Sequence, residues 1–300
     1  MKVRVDKTRR NLLANMGMAA IYTPFIGLIG CDDSSTETTE SETTQDETTE
    51  DTTTEQGTSD TEASTETSIE WAAGGTDLIT LDYPDDTLFE SAGICSLLLT
   101  ERTTEGPCYL GVNNQEDISD GETGLPMMLC LQVIDQNCNP LEGYLVEVWH
   151  CNREGIYSGD ESQSDDTSTF AGSFCTANDQ EAENSTWFRG ELTTDSNGRV
   201  NFKTCFPGWY GGRTIHIHFR VRLEYGGADY IVSQFCFDDD FCEDICTTHS
   251  LYSDRGVQDT PLSDGSDTVF PSSGYDNYLL NTAQNDDGTL LGYKRIMIEI

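Results

Sequence analysis

Hydrophobic and polar residues alternate in short runs along the second half of this chain. Six segments have the two-residue period of strands with one buried face: "LCLQVID" (129–135), "YLVEVWH" (144–150), "VNFKTCF" (200–206), "IHIHFRVRL" (215–223), "YIVSQFCF" (230–237) and "YKRIMIEI" (293–300). Turn-forming segments separate them, such as "TDSNGRV", where Asn197 and Gly198 suit a tight hairpin. The pattern predicts an all-β protein, a β-sandwich of mixed short strands with long loops. Residues 238–290 are predicted to be polar loop with at most short helical turns.

The first 31 residues lack this alternation and have the composition of an export signal. A basic start precedes an apolar stretch that is short for a membrane span. "TRRNLLA" resembles a twin-arginine signal, and "LIGC" resembles the lipobox of a bacterial lipoprotein, in which Cys31 becomes the lipidated N-terminus. We therefore expect export and lipid anchoring to the bacterial cell envelope, on its periplasmic or cell-surface side. An uncleaved anchor helix is the alternative.

Residues 32–70 form a separate compositional block, rich in Thr, Glu and Ser. They hold 14 acidic residues, no basic residue and almost nothing apolar. Such a segment cannot bury enough apolar surface to offset its ordering entropy, so we expect a disordered acidic tether. The predicted folded domain is then residues 71–300.

The folded part is itself strongly acidic. Residues 71–300 contain 39 acidic and 11 basic side chains, a net charge of −28. This charge argues against nucleic acid and anionic lipid as partners, so that membrane contact is expected only through Cys31. Charge and composition leave the oligomeric state open.

Cysteine is unusually frequent. Eleven are present, and setting aside Cys31 leaves ten. An even number in an exported domain predicts disulfides, as many as five, with Cys138 and Cys151 as one candidate pair. The alternative is a zinc site at "CEDIC", although no second cysteine or histidine pair lies at a matching interval.

The segment "FPGWYGGRTIHIHF" holds the strongest candidate for chemistry. The strand period places His216 and His218 on one sheet face and their isoleucine neighbours on the other, so the two imidazoles can share a metal. An HxH pair alone is a weak signal. The turn "FPGWYGG" can return Tyr210 toward the histidine strand, and Tyr157 in "WHCNREGIYSGD" follows a strand and a turn in a similar way, although a lone tyrosine is most often a core or rim residue.

Four segments together resemble the intradiol ring-cleavage dioxygenases, the family of protocatechuate 3,4-dioxygenase and catechol 1,2-dioxygenase. They are "EGPCYL", "VEVWHCNREGIYSGD", "TWFRGELTTDSNGRVNFKTCFPGWYGGRTIHIHFRV" and "SQFCFDDDF". The likeness runs from about Gly106 to the C-terminus and is closest to exported, stand-alone members. It implies a mononuclear non-haem Fe(III) centre, whose ligands would be Tyr157, Tyr210, His216 and His218.

The resemblance also implies the reaction. The family cleaves a catechol with O₂ between the two hydroxyl-bearing carbons, which yields a cis,cis-muconate-type diacid. Tyr210 would match the tyrosinate that leaves the metal and takes up a catechol proton. Arg213 would match an arginine that stabilises charge on the substrate, and Gln234 a glutamine beside it. Two hard phenolate ligands favour Fe(III) over Fe(II), so the metal activates the catecholate and not O₂.

The sequence departs from the family pattern in three places. The link from Tyr210 to His216 is short, which predicts an open pocket mouth; Cys108 stands where an aromatic residue is expected; and no N-terminal helical dimerisation domain is evident. Few cations besides Arg213 are available to bind a substrate carboxylate, which favours neutral or bulky catechols.

Two other functions remain open. A cupin-type Fe(II) or Mn(II) enzyme would use the HxH pair with Glu224 and His249, although the spacing to Glu224 is too long. A tethered binding module that lost catalysis is the other alternative, which the four intact ligand positions disfavour. We expect His150 to be structural and His249 to be a surface residue.

Overall fold

The computed structural model describes residues 69–90, 99–163 and 173–300. The predicted export signal, Cys31 and nearly all of the acidic tether therefore lie outside the described residues. The strands are β1 (Asn113–Asn114), β2 (Pro126–Asp135), β3 (Leu145–Trp149), β4 (Arg189–Thr193), β5 (Arg199–Cys205), β6 (His216–Arg222), β7 (Asp229–Cys236), β8 (Asn281–Gln284) and β9 (Leu290–Ile298). The helices are α1 (Thr87–Glu90), α2 (Gln180–Glu183) and α3 (Asp239–Thr248), with 3₁₀ turns at Thr76–Leu78, Glu161–Gln163, Leu262–Asp264 and Tyr275–Tyr278.

The strands form two sheets, as the alternation predicted. One sheet has the order β1-β4-β3-β6-β7 and the other β5-β2-β9-β8. Both are mixed, because β1 pairs with β4 and β2 with β9 in parallel while the other pairs are antiparallel. The six strands read from the sequence are all present, and the all-β sandwich is confirmed.

The main core consists of apolar side chains from both sheets. Strand β6 contributes Ile217, Phe219 and Val221, and β2 contributes Met127, Leu129 and Leu131, all fully buried. Alternate positions of β6 carry His216, His218 and two arginines on the other face of the first sheet. One strand therefore supplies both core packing and polar chemistry.

Two local predictions are wrong. The tight turn at Asn197–Gly198 does form, with the Gly198 amide donating to Asp195 O at 2.9 Å. It does not make a hairpin, because β4 and β5 belong to different sheets.

The polar stretch after β7 also contains a ten-residue helix, α3, which begins where the Asp238 carboxylate accepts hydrogen bonds from two backbone amides. Its buried residues follow helical spacing: Cys242, Ile245 and Cys246.

The cysteines of the described residues are mostly unpaired, so the expectation that most of the ten form disulfides is wrong. Cys108 and Cys175 form a disulfide, and Cys138 is also disulfide-bonded. Cys151 is free, which excludes its predicted pairing with Cys138; the other free, buried cysteines are Cys130, Cys205, Cys236, Cys242 and Cys246. These thiols lie in apolar clusters, where cysteine packs as a small hydrophobic side chain.

Within the described ranges, no helix has the length and apolar character needed to cross a membrane.

Candidate metal centre

The two histidines of β6 lie on one face of the first sheet, as their spacing predicted. Their ring centroids are 4.8 Å apart, and both side chains are buried. The register of the neighbouring strands sets what surrounds them: Trp149 of β3 and Gln234 of β7 lie opposite His218. The Trp149 ring stacks on His218 at 5.0 Å, which fixes the plane of that imidazole.

Hydrogen bonding orients the His216 ring. Its Nδ1 lies 2.6 Å from Thr214 O and donates to that carbonyl, so Nε2 carries the free lone pair. Nε2 of His218 lies 3.1 Å from this atom, while Nδ1 of His218 has no hydrogen-bond partner. Gly106 passes so close that a Cβ there would lie 3.2 Å from His218 Cε1.

The two tyrosines lie on turns that pack backbone against backbone. In the first turn, Asn152 Oδ1 accepts hydrogen bonds from the amides of Glu154 and Ile156, both at 3.0 Å, and Gly155 has a φ of +81°. A Cβ on Gly155 would lie 2.2 Å from Trp209 O, and one on Gly208 would lie 2.1 Å from Arg153 O. Only glycine permits this approach, which brings Tyr157 and Tyr210 to the same point.

Four polar atoms converge there. Tyr157 Oη lies 3.3 Å from His216 Nε2 and 3.2 Å from His218 Nε2. Tyr210 Oη lies 3.1 Å from His216 Nε2 and 3.5 Å from Tyr157 Oη. Donors about 2 Å from a shared metal ion lie at such separations from one another. Two lone-pair nitrogens and two phenol oxygens therefore fit a single hard, highly charged cation.

Burial sets the protonation of these groups in the metal-free protein. It raises the pKa of Tyr210 to about 12 and that of Tyr157 well above its usual value. Burial, followed by the charge of Arg213, lowers the pKa of both histidines well below 6.5. The imidazoles are thus neutral and ready to bind a metal at neutral pH, whereas phenolate formation requires a nearby positive charge.

Arg213 links the centre to the loop before β8. Its Nε donates to Asp267 Oδ2 at 3.0 Å, its Nη2 donates to Gln234 Oε1, and its Nη1 lies 3.4 Å from His216 Nε2. Gln234 Nε2 in turn donates to Thr104 O at 2.9 Å. The structure thus brings together all six residues selected from the sequence. Asp267 was missed, since nothing local marks a loop aspartate that is 54 residues from Arg213.

The remaining histidines and Glu224 lie outside this cluster. Glu224 is exposed in the turn between β6 and β7. His249 is only 4% exposed and bonds to Ala72 O, so its assignment as a surface residue is wrong. Both ring nitrogens of His150 have hydrogen-bond partners, as expected of a structural histidine. Within the described ranges, no group of three or more His, Cys, Asp and Glu side chains could hold a metal ion, which disfavours the cupin and zinc alternatives.

Comparison with known proteins identifies the family of the chain. A family profile described as "Dioxygenase" matches residues 105–259, which is more than half of the chain and is the span in which the six site residues lie. The chain is also similar to the solved structure of an intradiol ring-cleavage dioxygenase from Tetranychus urticae, with 25% identity and a TM-score of 0.54 over 67% of this chain and 94% of that one. The chain belongs to the intradiol ring-cleavage dioxygenase family.

Curated members of the family match over shorter stretches. Catechol 1,2-dioxygenase of Acinetobacter baylyi is 31% identical over 150 residues, which is 42% of each chain. Catechol 1,2-dioxygenase 1 of Acinetobacter lwoffii is 27% identical over 166 residues, which is 47% of each chain. The chain spans about half the length of the curated relatives that it matches.

Proposed function

We propose that this protein is a non-haem Fe(III) dioxygenase that cleaves catechol-type rings between the two hydroxyl-bearing carbons with O₂. The expected product is a cis,cis-muconate-type diacid. The observation that carries the proposal is the convergence of two tyrosine oxygens and two histidine nitrogens, with five of their six pairwise separations at 3.1–3.5 Å. Tyr157, Tyr210, His216 and His218 would hold the Fe(III), which supplies a chelating site for the catecholate and withdraws electron density from it.

The two tyrosines have different surroundings, which supports different roles. Tyr157 is 1% exposed, and its amide donates to Cys175 O at 2.8 Å. Tyr210 is only partly buried and lies in a glycine-rich turn. We therefore assign Tyr157 as the permanent ligand and Tyr210 as the ligand that yields to substrate. Because burial raises the pKa of Tyr210 to about 12, a released Tyr210 Oη takes up a catechol proton.

The charge around Arg213 favours substrates without a carboxylate. Asp267, whose side chain is 2% exposed, balances the Arg213 guanidinium. Only Nη1 of that guanidinium faces the donor atoms, where it can stabilise negative charge on a bound catecholate. A carboxylated catechol would bring an additional negative charge that this ion pair leaves unbalanced. We propose neutral catechols as the substrate class.

The test uses the purified folded domain. We expect bound iron, a red-brown colour from tyrosinate-to-iron charge transfer, O₂ uptake with catechol and a muconate-type product. Tyr157→Phe and Tyr210→Phe should alter or bleach the colour, and His216→Ala or His218→Ala should lose iron. Arg213→Ala should slow turnover far more than it weakens iron binding, because the arginine acts on the substrate. Tyr144→Phe is the matched control, since Tyr144 packs on Tyr230 away from the site.

Two results would contradict the proposal. A colourless protein that binds no iron would favour the binding-module alternative. An iron protein that cleaves beside the diol would require a different ring-cleaving chemistry.

We further propose that the protein is exported and lipid-anchored through Cys31, with the acidic segment as its tether. The support is the "LIGC" motif and the composition of residues 32–70. Cys31→Ser should transfer the protein from the membrane fraction to the soluble fraction. Retention of that variant in the membrane would point to an uncleaved helix instead.

A further inference from the structure

Arg189, the first residue of β4, lies behind the proposed ligand Tyr157. It is 2% exposed, and it contacts Ser158, the residue that follows Tyr157. Its Nε donates to Ser158 O at 2.9 Å and its Nη2 to the same oxygen at 2.6 Å. Nη2 also donates to Cys108 O at 2.8 Å, in the segment that passes over His218. Arg189 therefore joins two chain segments that border the site.

The guanidinium of Arg189 has no carboxylate partner among the described residues. The other buried arginines do: Arg199 pairs with Asp86, Arg213 with Asp267, Arg220 with Glu105, and Arg222 with Glu147. The hydrogen-bond acceptors of Arg189 are neutral, and its buried Nη1 has none. A buried charge without a counter-charge is strongly unfavourable, and none of the described carboxylates compensates this cation.

Tyr157 is the neighbour that can supply the missing negative charge. The guanidinium carbon of Arg189 lies 5.9 Å from the centroid of the Tyr157 ring. Tyr109 is the other phenol close to this arginine, and its hydroxyl is committed to Glu147 Oε2 at 2.7 Å. Tyr157 becomes a phenolate when it binds a metal. The negative charge of that phenolate then lies beside the Arg189 guanidinium.

We propose that Arg189 is a positioning residue of the metal centre and that its charge compensates the Tyr157 phenolate. This inference rests on the proposed function, because it requires that Tyr157 is a ligand of Fe(III). The hydrogen bonds of Arg189 hold the Tyr157–Ser158 backbone in place, and its positive charge stabilises the ligand in the anionic form.

Two substitutions separate charge from hydrogen bonding. Arg189→Lys keeps the positive charge but loses the planar set of guanidinium N–H donors. Arg189→Gln keeps an N–H donor but loses the charge. Arg199→Gln is the matched control, since Arg199 is a buried arginine of β5 that is ion-paired with Asp86. Each protein is loaded with Fe(III), and the visible spectrum and the iron dissociation constant are measured.

The spectrum reports the charge directly. A positive charge beside the phenolate stabilises its electrons, so that charge transfer to iron requires more energy. Arg189→Gln should therefore shift the band to longer wavelength and weaken iron binding about 10–100-fold, as expected when a partner of a metal ligand is removed. Arg189→Lys and Arg199→Gln should keep the wild-type band. In a Tyr157→Phe background, Arg189→Gln should no longer shift the remaining band.

An Arg189→Gln protein that keeps the wild-type band overturns the inference. An equal shift of the band in the Lys and Gln variants also overturns it, because such a shift would indicate a role for hydrogen bonding alone. If near-UV circular dichroism shows that the Gln variant does not fold, Arg189→Lys decides: a wild-type band supports the charge role and a shifted band contradicts it. A wild-type protein that takes up no Fe(III) overturns the proposed function, and the inference falls with it. A coloured wild type with an unshifted Gln variant removes the inference only.

Discussion

At the scale of single residues, the buried histidines differ in what surrounds their nitrogens. Both ring nitrogens of His150 have hydrogen-bond partners in the protein: Nδ1 lies 2.7 Å from Cys151 O, and Nε2 lies 2.8 Å from Thr204 Oγ1. His216 and His218 instead direct their Nε2 atoms at each other and at the two tyrosines. A nitrogen that faces other potential ligands distinguishes a metal-binding histidine from a structural one.

His150 should make the metal-free protein sensitive to acid. Burial lowers its pKa to about 4, so the unfolded chain binds a proton near pH 6.5 that the folded protein excludes. The free energy of unfolding should consequently fall as the pH drops from 6.5 to 4, by about 3 kcal/mol from this group. Denaturant unfolding across this range should show a weaker pH dependence in His150→Gln. An NMR titration of His150 with a midpoint near 6.5 would contradict the prediction.

The residues of the site were predictable to different degrees. His216 and His218 follow from the strand period, since both lie on β6. The tyrosines needed the family resemblance, because the path of a turn back toward a strand has no periodic signature. Asp267 and Arg189 could not be selected from sequence. The role of Asp267 depends on which loop packs against β6, and that of Arg189 on the lack of a carboxylate partner in the part of the chain that the structure describes. Both are consequences of tertiary structure.

At the scale of elements, the metal centre depends on the contact between the two tyrosine turns. Gly155→Ala would place a Cβ 2.2 Å from Trp209 O at a residue with positive φ. We expect a loss of about 2–4 kcal/mol in unfolding free energy from backbone strain and overlap, together with weaker iron retention. Gly211→Ala is the control, because its Cβ would meet only Asp259 Oδ2 at 3.6 Å. Equal stability of the two variants would show that the turns separate easily.

Elements with a regular period were the easiest to predict. The strands followed from alternation, and their register then placed Gln234 beside His218. Helix α3 was missed because "DDFCEDICTT" has only three buried positions, and acidic residues in its first turn resemble a polar loop. The predicted hairpin at Asn197–Gly198 failed because the turn type is local, whereas the choice of sheet for each strand is decided by long-range pairing.

At the scale of the whole molecule, one disulfide joins Cys108 to Cys175, whose carbonyl accepts the Tyr157 amide. Cys108 and Cys175 are separated by 67 residues. Cys108→Ser combined with Cys175→Ser should lower the free energy of unfolding by about 4 kcal/mol in the chain-entropy model. Serine at Cys130, which is free, serves as the control for the loss of a cysteine as such. A double variant as stable as wild type in denaturant would show that the bond constrains the unfolded chain very little.

The separation of the donors along the chain has a kinetic consequence. Tyr157 and His216 are 59 residues apart in the chain, and in the fold β3, which precedes Tyr157, is paired with β6, which carries His216. Contacts between such distant residues form slowly, and the tyrosine turns must also dock before four donors surround one point. A metal that binds only the completed site cannot speed the search for the fold. The metal would instead slow unfolding. Bound Fe(III) then lengthens the lifetime of the native state, while the rate of folding stays unchanged.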